Sequence, residues 1–410
     1  MGDMRIPLVL LTGMAFCLGL LLGLLSHLPG AQSPLQRTVL LRHSRDLRQA
    51  VSPEPVLGNA SEENPALEQI EHIQQRIEQT QESIKALKEN HHSVHVHKEP
   101  SRDIYDGIYW SNVITANPGF TESQSHLWRK QLQEERVVGL QEGCGRMHNR
   151  LVTLANGNQA CARYRINRDQ MQGEVYSYYL ARVLAIYNVP PVVLALPDAK
   201  MTTWNSVAEQ LTSAQWSSGR VVALTPWLKD LTSAYVPVEM QPGGKGLYPS
   251  QDLAKNRTLE ELSEVSQWSD LIVLDYLTAN VDRVVNNMFN QQWNDDMMRS
   301  PVHNLEKTGN TLVFLDNESG LFHSYRLLDK YWHYHDTLLK SLCIFRKETA
   351  DIVKRLYASR TVAEEVVSLM EREEPLNDRI ARFNERTIKT LQSRLDDVYK
   401  QIISCESKYH

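Results

Sequence analysis

Two aspartates in the second half of the chain each follow an apolar run and could take part in phosphoryl transfer. Asp282 follows LIVLDYLTANV, and Asp316 follows TLVFL and begins DNESG. Asn287 stands five residues after Asp282, the D-x-x-x-x-N spacing with which phosphoryl-transfer enzymes orient a hydroxyl and hold a divalent metal. A carboxylate at the end of a strand can also bind a metal ion. Each aspartate alone would more often be a cap or turn residue, so the prediction rests on their combination.

Two arginines in a predicted hairpin could bind phosphate groups. Asn156-Gly157 is typical of a two-residue turn, here between predicted strands at 151–155 and 159–166. Arg163 and Arg165 lie two residues apart in the second strand, so their side chains share one face. A guanidinium on that face could hold a nucleotide phosphate, and an exposed edge strand is the alternative interpretation.

A glycine turn and a helix acid could complete this phosphate site. Gly143 and Gly145 flank Cys144 in a turn whose amides could approach phosphates, although two glycines usually mark only a tight turn. Glu174 lies early in a predicted amphipathic helix at 169–187. In a kinase-like lobe such an acid pairs with the basic residue of the preceding strand. Without that context, Glu174 would be an exposed helix acid.

The order of predicted elements indicates an α+β architecture with two lobes. A β-rich first part leads into the segment 271–320, which carries Asp282 and Asp316. The rest of the chain has helix composition. The predicted helices there are 325–345, 348–358, 362–372 and 379–404.

Length and charge bound the classes of function. The chain has 410 residues, 42% of them hydrophobic, which is enough for a large core in one or two domains. Its formal net charge of −5 gives no electrostatic argument for a nucleic-acid partner. We therefore expect no nucleic-acid binding.

The N-terminus predicts a membrane anchor. Residues 6–28 are almost wholly apolar, and no Asp, Glu, Lys or Arg stands between Arg5 and Arg37. The run is long enough to span a bilayer, with residues 1–5 as a cytoplasmic tail. A cleaved signal is the alternative, because small residues near Gly30-Ala31 could admit a peptidase. The flanking charges alone leave the topology open.

Glycosylation motifs favour a lumenal body. Asn59 and Asn256 begin sequons, although chance matches are common in a chain of this length. Asn317 also begins one, but we expect it to be unmodified because it belongs to the proposed metal loop.

Cysteine usage favours the same side of the membrane. Outside the apolar run the chain has four cysteines, an even number that two disulfides could use. Of the three pairings, we favour Cys144–Cys161 across the hairpin and Cys343–Cys405 at the C-terminus. Four free thiols are the alternative, and no zinc-site spacing is present.

Residues 29–100 have the composition of a stem, and 101–410 that of the main domain. Within the stem, Ile70, Ile77 and Ile84 fall seven apart, which predicts a short coiled coil at 66–90 that could form a homodimer. A single amphipathic helix is the alternative. The histidine-rich stretch at 91–97 is interpreted as a solvated linker.

The succession GCGRMHNR, ACARYR, QGEVYSYYLARVL, NVPPVV, DYLTANVDRVVNN, VFLDNESG and SLCIF resembles the Four-jointed family of Golgi kinases over 104–409. More distantly it is similar to secretory kinases of the Golgi casein kinase type. Their catalytic Asp sits in an Asp-Arg pair, and their metal Asp begins Asp-Asn. The resemblance implies a bilobal, atypical protein-kinase-like fold with a β-rich N-lobe and a mainly helical C-lobe.

The same resemblance implies roles for single residues. Asp282 would orient or deprotonate the acceptor hydroxyl, and Asp316 would chelate the nucleotide-bound metal. Asn287 would hold a second metal or the loop itself. Arg163 falls where the wider family usually has a phosphate-binding Lys, with Glu174 as its partner. Arg is larger and differently shaped than Lys, so this position is a departure from the pattern.

The spacing of the two aspartates is a further departure from ordinary kinases. The chain contains neither His-Arg-Asp nor Asp-Phe-Gly, and Asp316 stands 34 positions after Asp282. We therefore expect 291–310 to form an insertion.

The implied function is a Golgi serine/threonine kinase that uses ATP with Mn²⁺ or Mg²⁺. Its substrates would be extracellular cadherin domains of atypical cadherins, in planar polarity and growth signalling. The body would be lumenal in a single-pass type II Golgi membrane protein, with a shed or secreted form as a variant. A glycan kinase and a catalytically silent signalling protein are the alternatives.

Overall fold

The computed structural model describes residues 103–116, 119–250 and 253–409. The apolar run at 6–28, the predicted coiled coil at 66–90, the histidine stretch and Asn59 lie outside this part of the chain. Among the described residues, none of the helices combines the length and apolar character that a membrane crossing requires.

The strands form antiparallel sheets. The strands are β1 Ile104–Tyr105, β2 Tyr109–Trp110, β3 Val137–Glu142, β4 Arg150–Leu154, β5 Gln159–Arg163, β6 Val193–Ala195, β7 Val222–Pro226, β8 Thr232–Tyr235, β9 Pro301–Thr308 and β10 Thr311–Phe314. In the largest sheet, the strand order is β3-β4-β5-β7-β6, and a three-stranded sheet has the order β10-β9-β8. A small ribbon pairs β1 with β2.

Helices dominate the second half of the described chain. The α-helices are α1 Glu122–Glu134, α2 Arg168–Val183, α3 Ala208–Ser213, α4 Leu259–Thr278, α5 Val284–Asn290, α6 Leu328–Lys340, α7 Lys347–Ser359, α8 Val362–Glu373 and α9 Glu385–Tyr409. Short 3₁₀ helices stand between them at Asn205–Val207, Val238–Met240, Asp295–Arg299, Asn317–Ser319, Ser324–Arg326 and Asn377–Arg379.

Two hydrophobic clusters organise these elements. The smaller lies in the five-stranded sheet and includes Leu140, Val152 and Leu224. The larger surrounds the buried helix α4 and takes in α2 and the C-terminal helices. The mixed α/β composition predicted from the sequence is therefore confirmed.

The predicted helix 325–345 is shorter in the structure because its end leaves the helical path to make other backbone pairs. The Cys343 amide donates to the Leu247 carbonyl, and the Phe345 amide donates to the Ile108 carbonyl, at 2.8 Å each. The last predicted helix begins at Glu385 instead of 379. Asn384 precedes it and accepts the Thr387 amide at 2.9 Å, as a capping residue does.

The segment 291–310 between the two aspartates contributes the central strand of the three-stranded sheet. It contains the 3₁₀ turn Asp295–Arg299 and strand β9. Strand β9 pairs with β10, which leads to Asp316, and with β8 on its other side. This segment therefore helps to build the sheet that delivers Asp316, and its status as an insertion stays a prediction.

Both favoured disulfides are present. Cys144 is bonded to Cys161 with a Cα–Cα distance of 5.8 Å, and Cys343 to Cys405 with 5.4 Å. The first attaches the glycine turn to β5, two residues before Arg163. The second joins the end of the α6 segment to α9.

A buried histidine gives the fold a specific acid sensitivity. His335 of α6 faces Tyr276 of α4 and Arg394 of α9, and burial, with Arg394 adding to it, lowers its pKa to about 3. The unfolded chain binds a proton at this histidine below its ordinary pKa of 6.5, and the folded chain does not. This contribution to stability is therefore complete above pH 6.5 and is lost as the pH falls.

We expect His335→Asn to flatten this pH dependence. Between about pH 4 and 5.5 the slope of unfolding free energy should decrease by roughly 1.4 kcal/mol per pH unit, the equivalent of one proton. Urea unfolding of the purified full chain at several pH values measures the slope. Parallel slopes in the two proteins would show that His335 is protonated in the folded state.

Candidate functional site

Helix α4 carries the chain to Asp282. Its N-cap Thr258 forms a capping box with Glu261, and its body is buried almost throughout. The helix ends at Ala279 in the left-handed conformation, with φ of 52°. The buried Asn280 then accepts the Asp282 amide and the Ser319 hydroxyl through its side-chain oxygen, each at 2.9 Å. The 279–283 loop is thus tied to the DNES segment, Asp316–Ser319, which we term the acidic loop.

Arg283 joins the 279–283 loop to the strand end before Asp316. Its side chain is fully buried and forms an ion pair with Asp275 of α4. It also donates to the Leu315 carbonyl at 2.9 Å and to the Asn317 side chain. Burial raises the pKa of Asp275 to about 6, while Arg283 acts in the opposite direction.

We expect Arg283→Met to destabilise the protein by about 3–5 kcal/mol, because it leaves Asp275 buried without its cation. Arg299→Met is the matched control, since Arg299 pairs with Asp296 in solvent and such pairs contribute about 0–1 kcal/mol. Denaturant unfolding of both variants measures the difference. Equal, small losses would contradict a central role for the Arg283 pair.

The acidic loop packs closely against α2. Asp316 is left-handed, with φ of 50°, which aspartate tolerates better than most residues. Glu174 of α2 accepts the Asn317 amide at 2.6 Å. Beside it, a Cβ on Gly173 would lie 2.6 Å from the Glu318 carbonyl oxygen, so only glycine permits this approach.

Arg163 meets two acids of this loop. Its Nη1 lies 3.1 Å from the Asp316 carboxylate and 3.4 Å from that of Glu318. Its buried Nε has no hydrogen-bond partner among the residues described. Glu174 and Arg163 form no direct ion pair, but the charge of Glu174 acts on Arg163, and Glu174 also accepts the Asn317 amide. The role of Glu174 as the partner of Arg163 stays a prediction.

Arg165 has a different role from Arg163. It forms an ion pair with Glu318 and donates to the Asn149 side chain at 2.6 Å. Asn149 in turn donates to the Cys144 carbonyl at 2.6 Å. Arg165 is almost fully buried and connects the glycine turn to the acidic loop, whereas Arg163 adjoins Asp316.

The glycine turn itself is exposed. Gly145 has φ of +86° and open space around its Cα, and Gly143 packs near Leu151. Arg146 follows it with about half of its side chain exposed and lies 3.5 Å from Glu318. The turn thus presents a solvent-accessible cation next to the site.

Charges of both signs meet at Glu174. Burial raises its pKa to about 7, and the nearby carboxylates Asp316 and Glu318 add to this, while Arg163 opposes it. Glu318, Arg146, Arg283 and Gly173 were not identified from the sequence. Glu318 and Gly173 had weak signals, the acid within DNES and a glycine inside a helix pattern. Arg283 had only its place next to Asp282.

Asn287 serves the loop that follows it. Its side-chain amide donates to the Met297 and Ser300 carbonyls at 2.8 and 3.4 Å, and the residue is buried. These contacts match the second of its two expected roles, holding the loop itself. Its role as a metal ligand stays a prediction.

The donor set fits a metal ion brought in by a nucleotide. Among residues 103–116, 119–250 and 253–409, the His, Cys, Asp and Glu side chains form no group of three that could hold a metal alone. Mg²⁺ sites commonly use one or two carboxylates together with substrate phosphates. The Asp316 carboxylate and the free Nε of Arg163 suit such an arrangement, since one attracts a cation and the other an anion.

The chain is similar in sequence to a protein-family model and to named relatives, and similar in fold to a solved structure. A family model described as the Four-jointed box protein middle domain matches residues 123–408. Four-jointed box protein 1 of Xiphophorus maculatus is 42% identical over 308 residues, covering 74% of this chain and 72% of the relative. The extracellular serine/threonine protein kinase four-jointed of Drosophila melanogaster is 38% identical over 357 residues, covering 74% and 61%. A crystal structure of the Golgi casein kinase with Mn/ADP bound is 14% identical, with a TM-score of 0.47 over 70% of this chain and 77% of that one.

Proposed function

We propose that this chain, which belongs to the Four-jointed box protein family, is a metal-dependent protein kinase of the secretory pathway. It transfers the γ-phosphoryl group of ATP to Ser or Thr of extracellular cadherin domains of atypical cadherins. The observation that carries the proposal is the link through Arg283, which ties the loop of Asp282 to the loop of Asp316. The proposal is supported by the Drosophila relative, which is named an extracellular serine/threonine protein kinase.

Asp282 would act on the acceptor. Its carboxylate is partly exposed at the N-terminus of α5, and Asn280 holds its backbone. There it would accept a hydrogen bond from the acceptor hydroxyl, orient it for in-line attack and take its proton. The rigid support of the loop matters, because positioning supplies much of the rate in phosphoryl transfer.

Asp316 and Arg163 would bind the nucleotide. Asp316 would hold Mn²⁺ or Mg²⁺, and the bound metal would neutralise charge on the phosphate oxygens. The Arg163 guanidinium, with an unpaired Nε, would donate to phosphate oxygens in the place of the usual Lys. The amides of the Gly143–Gly145 turn and Arg146 would close the phosphate side.

The cellular setting is part of the proposal. The anchor at 6–28 would fix the chain in the Golgi membrane with its body in the lumen. Asn256 is exposed in a left-handed turn and is available for glycosylation, whereas Asn317 is buried. The two disulfides suit an oxidising compartment.

An acceptor comparison tests the proposal. The purified chain, Mn²⁺ and labelled ATP are incubated with cadherin domains and, separately, with the glycans of secreted proteins. We expect label on Ser or Thr of the cadherin domains. Label removed by glycosidases would establish a glycan kinase, and metal-dependent nucleotide binding without transfer to either acceptor would indicate a silent signalling protein.

A further inference from the structure

The end of helix α4 is held by an unusual set of distant groups. The last carbonyls of an α-helix have no partner within the helix. Here they are met by four different segments of the chain. The Arg394 Nε donates to the Tyr276 carbonyl, and the Tyr325 hydroxyl donates to the Leu277 carbonyl. The Leu321 amide donates to the Thr278 carbonyl, and the His335 imidazole to the Ala279 carbonyl.

Two of these donors come from helices that contribute no other residue to the site described above. Arg394 belongs to α9, and its guanidinium carbon lies 4.0 Å from the centre of the Tyr276 ring. His335 belongs to α6 and is 1% exposed. A cation at a helix C-terminus is also favourable to the helix dipole. Both residues therefore act on the same end of α4, three to six residues before Asp282.

The protonation state of His335 fits its contact. The imidazole is neutral at physiological pH, because burial and Arg394 lower its pKa to about 3. Its Nε2 has no hydrogen-bond partner in the described part of the chain, so the proton that reaches the Ala279 carbonyl is on Nδ1. The Arg394 Nη2 is likewise without a partner among the described residues. The bond of Arg394 to the α4 end is therefore made by its Nε.

We propose that His335 and Arg394 are positioning residues that set the place of Asp282 through the left-handed end of α4. The inference rests on the proposed kinase function and names residues that this function does not otherwise use. Neither residue forms a hydrogen bond or ion pair with the acidic loop or Arg163, so loss of either should displace Asp282 and leave nucleotide binding intact.

Matched variants separate this role from simple packing. His335→Leu removes the donor, whereas His335→Asn places an amide nitrogen where Nδ1 was. His335→Gln places it on the Nε2 side, away from Ala279, and is a milder change than Leu. Arg394→Met removes the donor and cation but keeps the length, and Arg394→Lys keeps the cation.

Kinetics of the full chain give the first readout. We expect His335→Leu, His335→Gln and Arg394→Met to lower kcat by roughly 10–100-fold, since a small misplacement of a reacting group has effects of that size. The KM for ATP should stay within about twofold. His335→Asn should recover most of the rate, and Arg394→Lys part of it. Equal impairment by Asn and Leu, or kcat and KM changing together, would overturn the proposal.

Hydrogen exchange gives a readout that needs no activity. The Ala279 amide donates to the Tyr276 carbonyl, and the Asn280 amide donates to the Asp275 carbonyl. The Asp282 amide donates to the Asn280 side chain. We expect these amides to exchange about tenfold faster in His335→Gln and Arg394→Met, through local opening of the loop, and at the wild-type rate in His335→Asn. Unchanged exchange in both donor-deleting variants would overturn the positioning role. If the wild-type chain transfers no phosphate, the kinase function fails and exchange still decides this inference.

Discussion

Asp282→Asn is expected to lower the rate of phosphoryl transfer by about 10²–10⁴-fold, the range that a positioned general base contributes. The amide keeps the size of the side chain and its place after Asn280, but it cannot take a proton from the acceptor. Metal-dependent affinity for ATP should change by less than about twofold, because the nucleotide is assigned to Asp316 and Arg163. Transfer to a cadherin domain and nucleotide binding are measured on the same preparation.

Asp295→Asn is the control for Asp282→Asn. Asp295 is an exposed acid in the 3₁₀ turn of the 291–310 segment, on the same stretch of chain. This variant should keep the wild-type rate. An Asp282→Asn protein that transfers phosphate at the wild-type rate would remove Asp282 from the reaction.

Asp316→Asn should abolish metal-dependent nucleotide binding, with a loss of affinity of at least about 100-fold when Mn²⁺ is present. Without metal, the same substitution is not expected to weaken nucleotide binding. Asp316 neutralises Arg163 across 3.1 Å, and its replacement frees the guanidinium for phosphate oxygens. Metal-free ADP should therefore bind as well as before or more tightly. Calorimetric titration with and without Mn²⁺ measures both effects.

Glu306→Gln is a control for Asp316→Asn on the strand that precedes β10. Glu306 lies on β9 and pairs in register with Val313 of β10. Its replacement should leave both titrations unchanged. Unchanged metal dependence in Asp316→Asn would contradict the assignment of this carboxylate to the metal.

Local patterns in the sequence were sufficient for the parts of the site that lie on one or two neighbouring strands. Asn156-Gly157 marked the hairpin of β4 and β5, and the spacing of two predicted a shared side for Arg163 and Arg165, which both contact Glu318. The predicted strand end at 166 was wrong, because β5 ends at Arg163 and Arg165 follows it. The hairpin also brought Cys144 within reach of Cys161. These features depend on turn type and strand period, which a short window of sequence records.

Contacts between residues that lie far apart in the sequence could not be predicted from such local patterns. Arg283 reads as one more polar residue after Asp282, yet in the fold it is fully buried. It bonds a carboxylate of α4, the carbonyl of the residue that follows β10, and a side chain of the acidic loop. His335 and Arg394 belong to helices whose amphipathic pattern accounts for them without a role. Their partners are backbone carbonyls, which have no identity in a sequence pattern.

The observed end of α6 differs from the predicted helix end at 345 for a related reason. Helix composition continues through Leu342–Phe345, but the backbone there pairs with Leu247 and Ile108 instead. Tertiary hydrogen bonds therefore decided the end of α6 against local propensity.

The most direct test of the central claim is a transfer assay in which labelled ATP, Mn²⁺ and a purified cadherin domain are incubated with the wild-type chain, Asp282→Asn and Asp316→Asn. We predict label on Ser or Thr with the wild-type chain. Asp316→Asn should show no label above background, Asp282→Asn should label at most at about one hundredth of the wild-type rate, and only Asp282→Asn should still bind nucleotide in a metal-dependent manner. Equal labelling by the wild-type chain and Asp282→Asn, or no labelling by a wild-type chain that binds nucleotide, would contradict the account.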